Sequence, residues 1–571
     1  MRKKTITASL LATALVATGV LANAGVAHAD ADTLVVNAGS VLRPVTHVAA
    51  GGLYALATTT TPDPTQLPPL HLNQLTQPAP GVQQVGNGAS VPTGDALKVA
   101  PVSTNAGAQT TIRMADIYNG FPYQGVTLPD YLAKVDTMVK ARVAATNTTN
   151  VNGWELWNEP DGTWDTNTNG TFNDAWVKIY NEVKKYDTVT PIVGPSYQYY
   201  DHNRMLAFLT NAKANNAVPD VISWHELSQG WGGIGDHMSD LASIESSLGI
   251  SPRPVSINEY AWTDQVDVPS AALHYISQFE RYGIRDAERA YWYESGTVNG
   301  LLYNNQPTAS YWMYKWYGDM TGNMVPVTAS SDLDGIASLD STRKILTVIA
   351  GGEYGNNTIT INGLGSFGTQ AKVTLTASAT TGRTTNSSQP APLSTTTVPI
   401  VNGSLSVPIT NEDDKAAYQV VVTPASGPVT ATQQVYEAEN ATVVNAQRLS
   451  SSSASNGGYV GRIDGSADQR SDSFVDFLVN VPTAGSYKMG IRYANGGTAP
   501  STQGLAYNGG AFSTITYPVT GSWGTFAANN TVSTNLTLKA GYNMIRLAKG
   551  SPSFAGGTGY AELDSITLTA Q

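Results

Sequence analysis

The stretch Trp154-Glu-Leu-Trp-Asn-Glu-Pro160 decides the fold of this chain. Its apolar residues predict a β-strand, and the closing proline ends that strand because proline cannot donate a ladder hydrogen bond. Asn158 and Glu159 therefore lie where the strand passes into the following loop. Further along, Val255-Ser-Ile-Asn-Glu-Tyr260 repeats the arrangement and places Glu259 at the end of a second predicted strand.

Helical patterns alternate with apolar runs on both sides of these two strands. In one segment, Leu132, Val135, Met138 and Val139 recur at helical spacing and form one apolar face. Eight strands that alternate with helices predict a (β/α)8 TIM barrel, which we place at residues 30–320. The predicted barrel strands are 52–56, 96–100, 111–114, 154–157, 191–194, 221–224, 255–257 and 290–293.

The pattern changes to period-two alternation after the barrel. Short β-branched runs separated by turn-forming residues predict an antiparallel β-sandwich over residues 321–423. A linker rich in proline and small residues follows at 424–434, and a further all-β unit occupies 435–571. The predicted sandwich strands are 345–349, 358–361, 371–376, 405–409 and 417–422.

The N-terminus has the features of a secretory signal peptide. Arg2, Lys3 and Lys4 precede an apolar run, and Ala27-His-Ala29 fits a cleavage site. We therefore expect residues 1–29 to be removed and the protein to be secreted, with loose retention at the cell surface as the alternative.

Composition argues against several partners and chemistries. The formal net charge of −11 argues against nucleic acid and anionic membranes, which are bound chiefly through lysine and arginine. No later stretch is long and apolar enough for membrane insertion. The chain has no cysteine, which excludes thiol catalysis and thiolate zinc sites. The histidines show no metal-binding spacing, so we expect no cofactor for catalysis.

Two glutamates at the ends of predicted strands four and seven point to glycoside hydrolysis. The C-terminal end of the strands carries the active site in a TIM barrel. One carboxyl group can protonate the leaving oxygen, and the other can attack the anomeric carbon if the two lie about 5–5.5 Å apart. Glu159 and Glu259 are therefore the predicted catalytic pair, and Asn158 is placed to hold the sugar 2-hydroxyl.

Asn-Glu-Pro on strand four with a second glutamate on strand seven resembles the clan A glycoside hydrolases. The run from Trp154 to Asp161, then Val193-Gly-Pro195 and Asp220-Val-Ile-Ser-Trp-His225, is most similar to glycoside hydrolase family 39. The resemblance implies a retaining O-glycosidase with Glu159 as the acid/base and Glu259 as the nucleophile. It also implies xylosidase-like or arabinose-releasing activity on a plant or microbial polysaccharide or oligosaccharide.

Other residues near the predicted strand ends are candidate substrate contacts. By the resemblance His225 lies near the nucleophile, although an isolated histidine is as often a core residue. Trp292 and, more weakly, Tyr197 could stack on a sugar face. Glu294 equally suits a sugar contact or a salt bridge.

Two other functions are compatible with these patterns. A non-catalytic glycan-binding surface protein could use the same barrel as a scaffold, although an intact glutamate pair favours an enzyme. A retaining enzyme could also transfer the glycosyl group to a sugar rather than to water, because both reactions share the glycosyl-enzyme. The sequence specifies no oligomeric state.

The unit at 435–571 closely resembles the jelly-roll carbohydrate-binding modules of families 35 and 6. It opens with Tyr436-Glu-Ala-Glu439 and closes with Leu563-Asp-Ser-Ile566. The resemblance implies a structural Ca²⁺, and hard oxygen ligands suit that ion. The alternative is that these acids merely end strands. The implied calcium ligands are Glu437, Glu439 and Asp564, and the candidate sugar contacts of the module are Tyr459, Trp523 and Arg462.

Overall fold

The computed structural model describes residues 32–80, 93–411, 413–427, 434–467 and 470–571. The predicted signal peptide and the middle of the predicted linker lie outside these ranges. Within them, no helix has both the length and the apolar character needed to span a bilayer.

Eight parallel strands close into a barrel, as the alternating pattern predicts. The described chain begins with β1 (Thr33–Asn37) and β2 (Arg43–Pro44), which belong to the sandwich described below. The barrel closes in the order β10-β3-β4-β5-β6-β7-β8-β9. Its strands are β3 (Gly51–Leu53), β4 (Gln74–Pro78), β5 (Gln109–Arg113), β6 (Val151–Glu155), β7 (Ile192–Tyr197), β8 (Val221–Glu226), β9 (Val255–Tyr260) and β10 (Asp286–Arg289).

Most of the longer helices pack against the barrel through one buried face. In α2, Tyr131, Val135, Met138 and Val139 are buried, which confirms the predicted apolar face, and Thr127 caps the helix by accepting a hydrogen bond from a backbone N–H. The helices are α1 (Ala96–Asn105), α2 (Leu128–Ala144), α3 (Pro160–Thr163), α4 (Thr166–Asn169), α5 (Phe172–Lys184), α6 (His202–Ala214), α7 (Ile234–Leu248), α8 (Pro269–Tyr282) and α9 (Ala309–Gly318).

Two of the predicted barrel strands are wrong. The run 96–100 begins helix α1, because Asp95 caps its first turn and Ala96, Val99 and Ala100 are buried at helical spacing. The true second strand is β4, whose sequence Gln-Leu-Thr-Gln-Pro is largely polar although every residue is buried. The eighth strand is β10, which precedes the predicted 290–293 and is also polar. The predicted numbering of strands four and seven is nevertheless right.

The second domain is a β-sandwich that includes the N-terminal strands. β1 pairs in parallel with β17, and β2 pairs with β13, so the barrel begins later than residue 30. Its sheets have the orders β14-β1-β17-β20 and β19-β18-β21-β16-β15-β13-β2. A hairpin, β11 (Leu302–Tyr303) and β12 (Gln306–Pro307), precedes α9. The sandwich strands are β13 (Asn323–Val325), β14 (Val327–Thr328), β15 (Asp334–Asp340), β16 (Ile345–Gly351), β17 (Gly355–Asn362), β18 (Gln370–Ser378), β19 (Pro392–Pro399), β20 (Leu405–Asn411) and β21 (Ala417–Pro424).

The C-terminal unit is a two-sheet β-domain with its own hydrophobic core. One sheet has the order β24-β25-β32-β27-β30, with β22 also paired to β32, and the other has the order β23-β26-β31-β28-β29. Its strands are β22 (Gln434–Glu437), β23 (Thr442–Val444), β24 (Gln447–Ser450), β25 (Gly458–Gly461), β26 (Ser473–Val481), β27 (Gly485–Ala494), β28 (Ser501–Tyr507), β29 (Ser513–Tyr517), β30 (Thr531–Leu538), β31 (Gly541–Lys549) and β32 (Glu562–Ala570).

The C-terminal unit packs against the N-terminal end of the barrel. The Asn440 side chain donates to the backbone oxygen of Val45, and Thr442 donates to that of Gly107 at 2.7 Å. Both acceptors lie in loops that enter barrel strands. The opposite face of the barrel, where the strands end, therefore stays clear of this contact.

Candidate active site

Both predicted catalytic glutamates lie at the C-terminal end of the barrel strands. Glu159 follows β6 in the left-handed conformation, with φ of 52°, and its backbone oxygen accepts hydrogen bonds from the backbone N–H groups of Gly162 and Thr163. Glu259 lies within β9 and is 4% exposed. The sharp turn at Glu159 brings its side chain back over the mouth of the barrel toward Glu259.

His225 bridges the two glutamates. It lies on β8 in register with Glu259 on β9, and it is completely buried. Its Nδ1 lies 3.1 Å from Oε1 of Glu159, and its Nε2 lies 3.7 Å from Oε1 of Glu259. One side-chain atom from each of the three residues lies within 4.8 Å of the other two. The two carboxylates are therefore close neighbours across one imidazole ring.

Arg113 is a buried cation that the sequence analysis missed. It ends β5, and its Nη1 donates to Oε1 of Glu259 at 2.6 Å. Its Nε donates to Oε2 of Glu155 at 2.9 Å, and Asn258 donates to the other oxygen of Glu155. The guanidinium therefore holds the Glu259 carboxylate by a hydrogen bond and supplies positive charge beside it. That charge would oppose a metal ion bound between Glu159, His225 and Glu259.

The pKa values of the three bridged groups depend on one another. Burial alone would raise the pKa of Glu159, but the hydrogen bond and charge of His225 outweigh it and lower that pKa. Burial raises the pKa of Glu259 in spite of the nearby positive charges. Burial would lower the pKa of His225, but the two carboxylates raise it above its ordinary value.

A second acidic group lies beside Arg113. Asp116 is fully buried and accepts hydrogen bonds from the hydroxyl groups of Tyr54 at 2.6 Å and Tyr123 at 2.9 Å. Burial raises the pKa of Asp116 to about 7. The Tyr54 hydroxyl also lies 3.4 Å from Nη1 of Arg113, so this group is connected to the Glu259 carboxylate.

The acid/base candidate is also held by Gln198, which the sequence analysis missed. The Gln198 amide donates to Oε2 of Glu159 at 2.9 Å. A β-carbon added to Gly162 would lie 2.5 Å from that amide nitrogen, so a larger residue there would displace the Gln198 amide. No short motif marks either Arg113 or Gln198, because each acts through a neighbour that is distant in sequence.

The remaining predicted sugar contacts fall into two groups. Asn158 Oδ1 and Trp292 Nε1 are buried atoms that have no hydrogen-bond partner among the described residues, so each has unused hydrogen-bonding capacity. Trp292 and Glu294 lie in the loop after β10, where Glu294 is exposed. Tyr197 is 5% exposed, its ring meets Phe208 edge to face, and the Arg204 guanidinium lies over it, which disfavours stacking on a sugar.

Acidic residues converge in the C-terminal unit as well. The Ser455 hydroxyl contacts Glu437 at 2.6 Å and Asp564 at 3.1 Å. Burial and the neighbouring carboxylates raise the pKa of Glu437 to about 8 and that of Glu439 to about 7. One oxygen of Glu439 is buried and has no hydrogen-bond partner in the described part of the chain, and Arg492 pairs with Asp564 at 2.9 Å.

An exposed aromatic pair lies on the same unit. The Trp523 ring is 39% exposed and stacks on Tyr560, with ring centroids 4.4 Å apart and planes at 9°. Tyr459 is 8% exposed and packs on Phe526, so it lies beneath this surface rather than on it. Arg462 is exposed and lies directly after the end of β25.

Comparison with known proteins agrees with this architecture. Residues 434–571 match the carbohydrate binding module of family 35. The chain is 30% identical over 371 residues to a 3-O-alpha-D-galactosyl-alpha-L-arabinofuranosidase of Bifidobacterium longum subsp. longum, covering 57% of this chain and 33% of that protein. It is 26% identical over 557 residues to a 3-O-beta-L-arabinopyranosyl-alpha-L-arabinofuranosidase of Bifidobacterium pseudocatenulatum, covering 82% of this chain and 56% of that protein. The chain thus spans a third to about half of the length of these relatives.

A solved structure extends the comparison to the whole of another chain. The structure of N2152 from Neocallimastix frontalis matches this chain with a TM-score of 0.65 and 33% sequence identity. The match covers 69% of this chain and 100% of N2152. The fold and the matches define a TIM-barrel protein with a β-sandwich and a C-terminal carbohydrate-binding module. The chain belongs to the same protein family as N2152.

Proposed function

We propose that this protein is a retaining glycoside hydrolase that releases arabinose-containing sugars from plant glycans. The observation that carries the proposal is the pair of glutamates at the barrel mouth, where a side-chain oxygen of Glu159 lies within 4.8 Å of one of Glu259. Carboxyl groups about 5–5.5 Å apart favour retention, because inverting enzymes need about 6.5–9.5 Å to admit a water molecule. The xylosidase-like alternative draws no support from the relatives.

The two glutamates have different surroundings that suit different roles. Glu259 is held by Arg113, with one side-chain oxygen within 4.8 Å of one of Glu159, which suits attack on the anomeric carbon. Glu159 lies at a turn, is held by Gln198 and His225, and is the more exposed of the two at 12% of its side chain. That position suits proton transfer to a departing oxygen and, in the second step, from an incoming water.

The substrate class follows from the relatives. Both curated relatives are named as α-L-arabinofuranosidases that recognise arabinofuranose carrying a sugar at O3. A glycoside of that kind needs a pocket for the arabinofuranose and a second contact for its substituent. Asn158, which precedes Glu159 in the chain, and Trp292, in the loop after β10, carry polar atoms without a partner in the described residues and are the proposed contacts of the first sugar.

The C-terminal module is proposed to bind the polymer and a structural Ca²⁺. The buried oxygen of Glu439 that has no partner in the described residues, and the pKa values of Glu437 and Glu439 that burial and then neighbouring carboxylates raise, support a cation held by Glu437, Glu439 and Asp564. The exposed Trp523 ring, backed by Tyr560, suits stacking on a sugar ring, and Arg462 is a further proposed contact. A module bound to the polymer raises the local substrate concentration around the active site. Such an arrangement suits a secreted enzyme, as the predicted signal peptide also indicates.

The test uses a panel of aryl α-L-arabinofuranosides, xylosides and arabinogalactan-derived oligosaccharides. We expect release from the arabinofuranosides, loss of about 10³-fold or more in Glu259→Gln, and recovery of Glu159→Ala by azide with an activated aryl substrate. Glu182→Gln on the barrel surface is the matched control. A protein that binds the glycans without cleaving any of them would favour the non-catalytic alternative, and wild-type turnover by Glu259→Gln would contradict the assignment.

A further inference from the structure

His225 occupies a position that a simple sugar contact would not require. Its ring has one nitrogen facing each catalytic carboxylate, and its side chain is 0% exposed. Nε2 is buried without a hydrogen-bond partner in the described residues, 3.7 Å from Glu259, whereas Nδ1 is within hydrogen-bond distance of Glu159. The imidazole is therefore aimed at both reacting groups at once.

The local charge requires a proton on this cluster. Glu155, Glu159 and Glu259 face one cation, Arg113, which is bonded to Glu155 and Glu259, and Asp116 lies beyond the Tyr54 hydroxyl on the same guanidinium. Two carboxylates that share a buried space cannot both stay ionised without a compensating proton. Placing that proton on the imidazole costs less free energy than placing it on either carboxyl group, because the imidazolium cation attracts both carboxylates.

We propose, on the basis of the function proposed above, that His225 holds the proton of the resting active site and delivers it to Glu159 when a glycoside binds. The direction of the pKa shifts agrees with this placement, since that of His225 is raised and that of Glu159 is lowered. In the free enzyme both glutamates are then carboxylates around an imidazolium. His225 acts through Glu159 and is a positioning residue for the proton.

The proton and bond changes balance over the cycle. The Nδ1 proton moves to Oε1 of Glu159 and then to the glycosidic oxygen, as the bond from that oxygen to the anomeric carbon breaks and Glu259 bonds to the same carbon. The positive charge of His225 and the negative charge of Glu259 disappear together, so the buried net charge is conserved. In the second half, water gives its proton to Glu159 while its oxygen displaces Glu259, and the proton returns to Nδ1.

The first test measures the charge of His225 without any substrate. In the full-length protein labelled with ¹⁵N-histidine, the His225 ring signals are assigned by their loss in His225→Asn and followed from pH 5 to 9. We expect titration above the ordinary value of about 6.5, and a fall of about one unit or more in Glu259→Gln, because an opposite charge nearby is removed. A neutral imidazole throughout this range would overturn the proposal.

The second test measures the pH profile of kcat/KM. In His225→Asn the amide can keep the hydrogen bond to Glu159 but cannot carry the proton, so the alkaline limb is expected about one unit lower. Activated aryl glycosides, which need little acid assistance, should lose less activity than alkyl glycosides. The control is His237→Asn, since His237 also bonds a buried carboxylate, that of Glu226, and its alkaline limb should match the wild type.

The two tests separate this inference from the proposed function. A uniform loss of activity in His225→Asn with an unchanged alkaline limb would show a purely structural role and overturn the inference. If the wild type cleaved no glycoside, the proposed function would fail, whereas the NMR titration would still determine where the proton lies.

Discussion

Replacing Arg113 with methionine should destabilise the barrel in a manner that depends on pH. Arg113, Glu155 and Glu259 have side chains 1%, 0% and 5% exposed, and the guanidinium is bonded to both carboxylates. Methionine fills a similar volume without charge, so two buried carboxylates lose their cation. Removing one partner of a buried ion pair typically costs about 3–5 kcal/mol.

The magnitude can be worked from the protonation of one orphaned carboxyl group. If the pKa of this carboxyl group is about 4.3 in the unfolded chain and about 8 in the folded variant, the free energy of unfolding falls by about 5 kcal/mol at pH 8 but by only about 1 kcal/mol at pH 5. The cost grows with pH because the unfolded chain releases a proton that the folded chain retains. For a domain of this size these values correspond to a Tm lower by about 10 °C at pH 8 and about 2 °C at pH 5.

Scanning calorimetry of the barrel transition at both pH values is the assay. The control is Lys140→Met, which removes a cation from a surface pair with Asp136 and should leave Tm unchanged. Adding Glu155→Gln to Arg113→Met should recover part of the loss at pH 8, because one orphaned carboxylate is removed. A deficit of equal size at both pH values, or none at all, would refute the electrostatic argument.

Three further outcomes are expected. Gly162→Ala should lower kcat/KM by about tenfold, since the added methyl group displaces Gln198 from Glu159; a fully active variant would contradict this. Without calcium, the C-terminal module should lose stability as pH rises from about 5 to 8, because the folded-state pKa values of Glu437 and Glu439 are raised to about 8 and about 7. Calcium should abolish this pH dependence of stability, and Glu439→Gln should weaken the stabilisation that calcium gives. Calorimetry with and without a chelator measures both effects. Trp523→Ala should reduce retention on insoluble polysaccharide in a pull-down while turnover of a small aryl glycoside is kept, and unchanged retention would place the sugar site elsewhere.

The sequence predicts the parts of the barrel whose burial is apolar. The strand before Glu159 and the helical face of α2 follow from period and proline placement, because apolar side chains there meet other apolar side chains. Strands β4 and β10 escape prediction since they are buried but polar. Gln74 donates to Thr111, and Thr76 donates to Glu288, so the barrel interior satisfies groups that would otherwise indicate a loop.

The site shows the same division. Glu159 and Glu259 are marked by position alone, at strand ends that local patterns reveal. Arg113, Gln198 and the bridging role of His225 depend on pairs of residues that are distant in sequence, such as the register of His225 with Glu259 across β8 and β9. The boundary of the sandwich was missed for a similar reason, because β1 finds its partner β17 more than three hundred residues away.

The anomeric configuration of the first-formed product tests the central claim most directly. An α-L-arabinofuranoside that the enzyme cleaves is followed by ¹H NMR from the first minute, before the released sugar equilibrates. Two glutamates this close, with Glu259 as the nucleophile, predict that the α-anomer appears first and the β-anomer only as mutarotation proceeds. Initial appearance of the β-anomer would mean direct attack by water, and would contradict the assignment of Glu259.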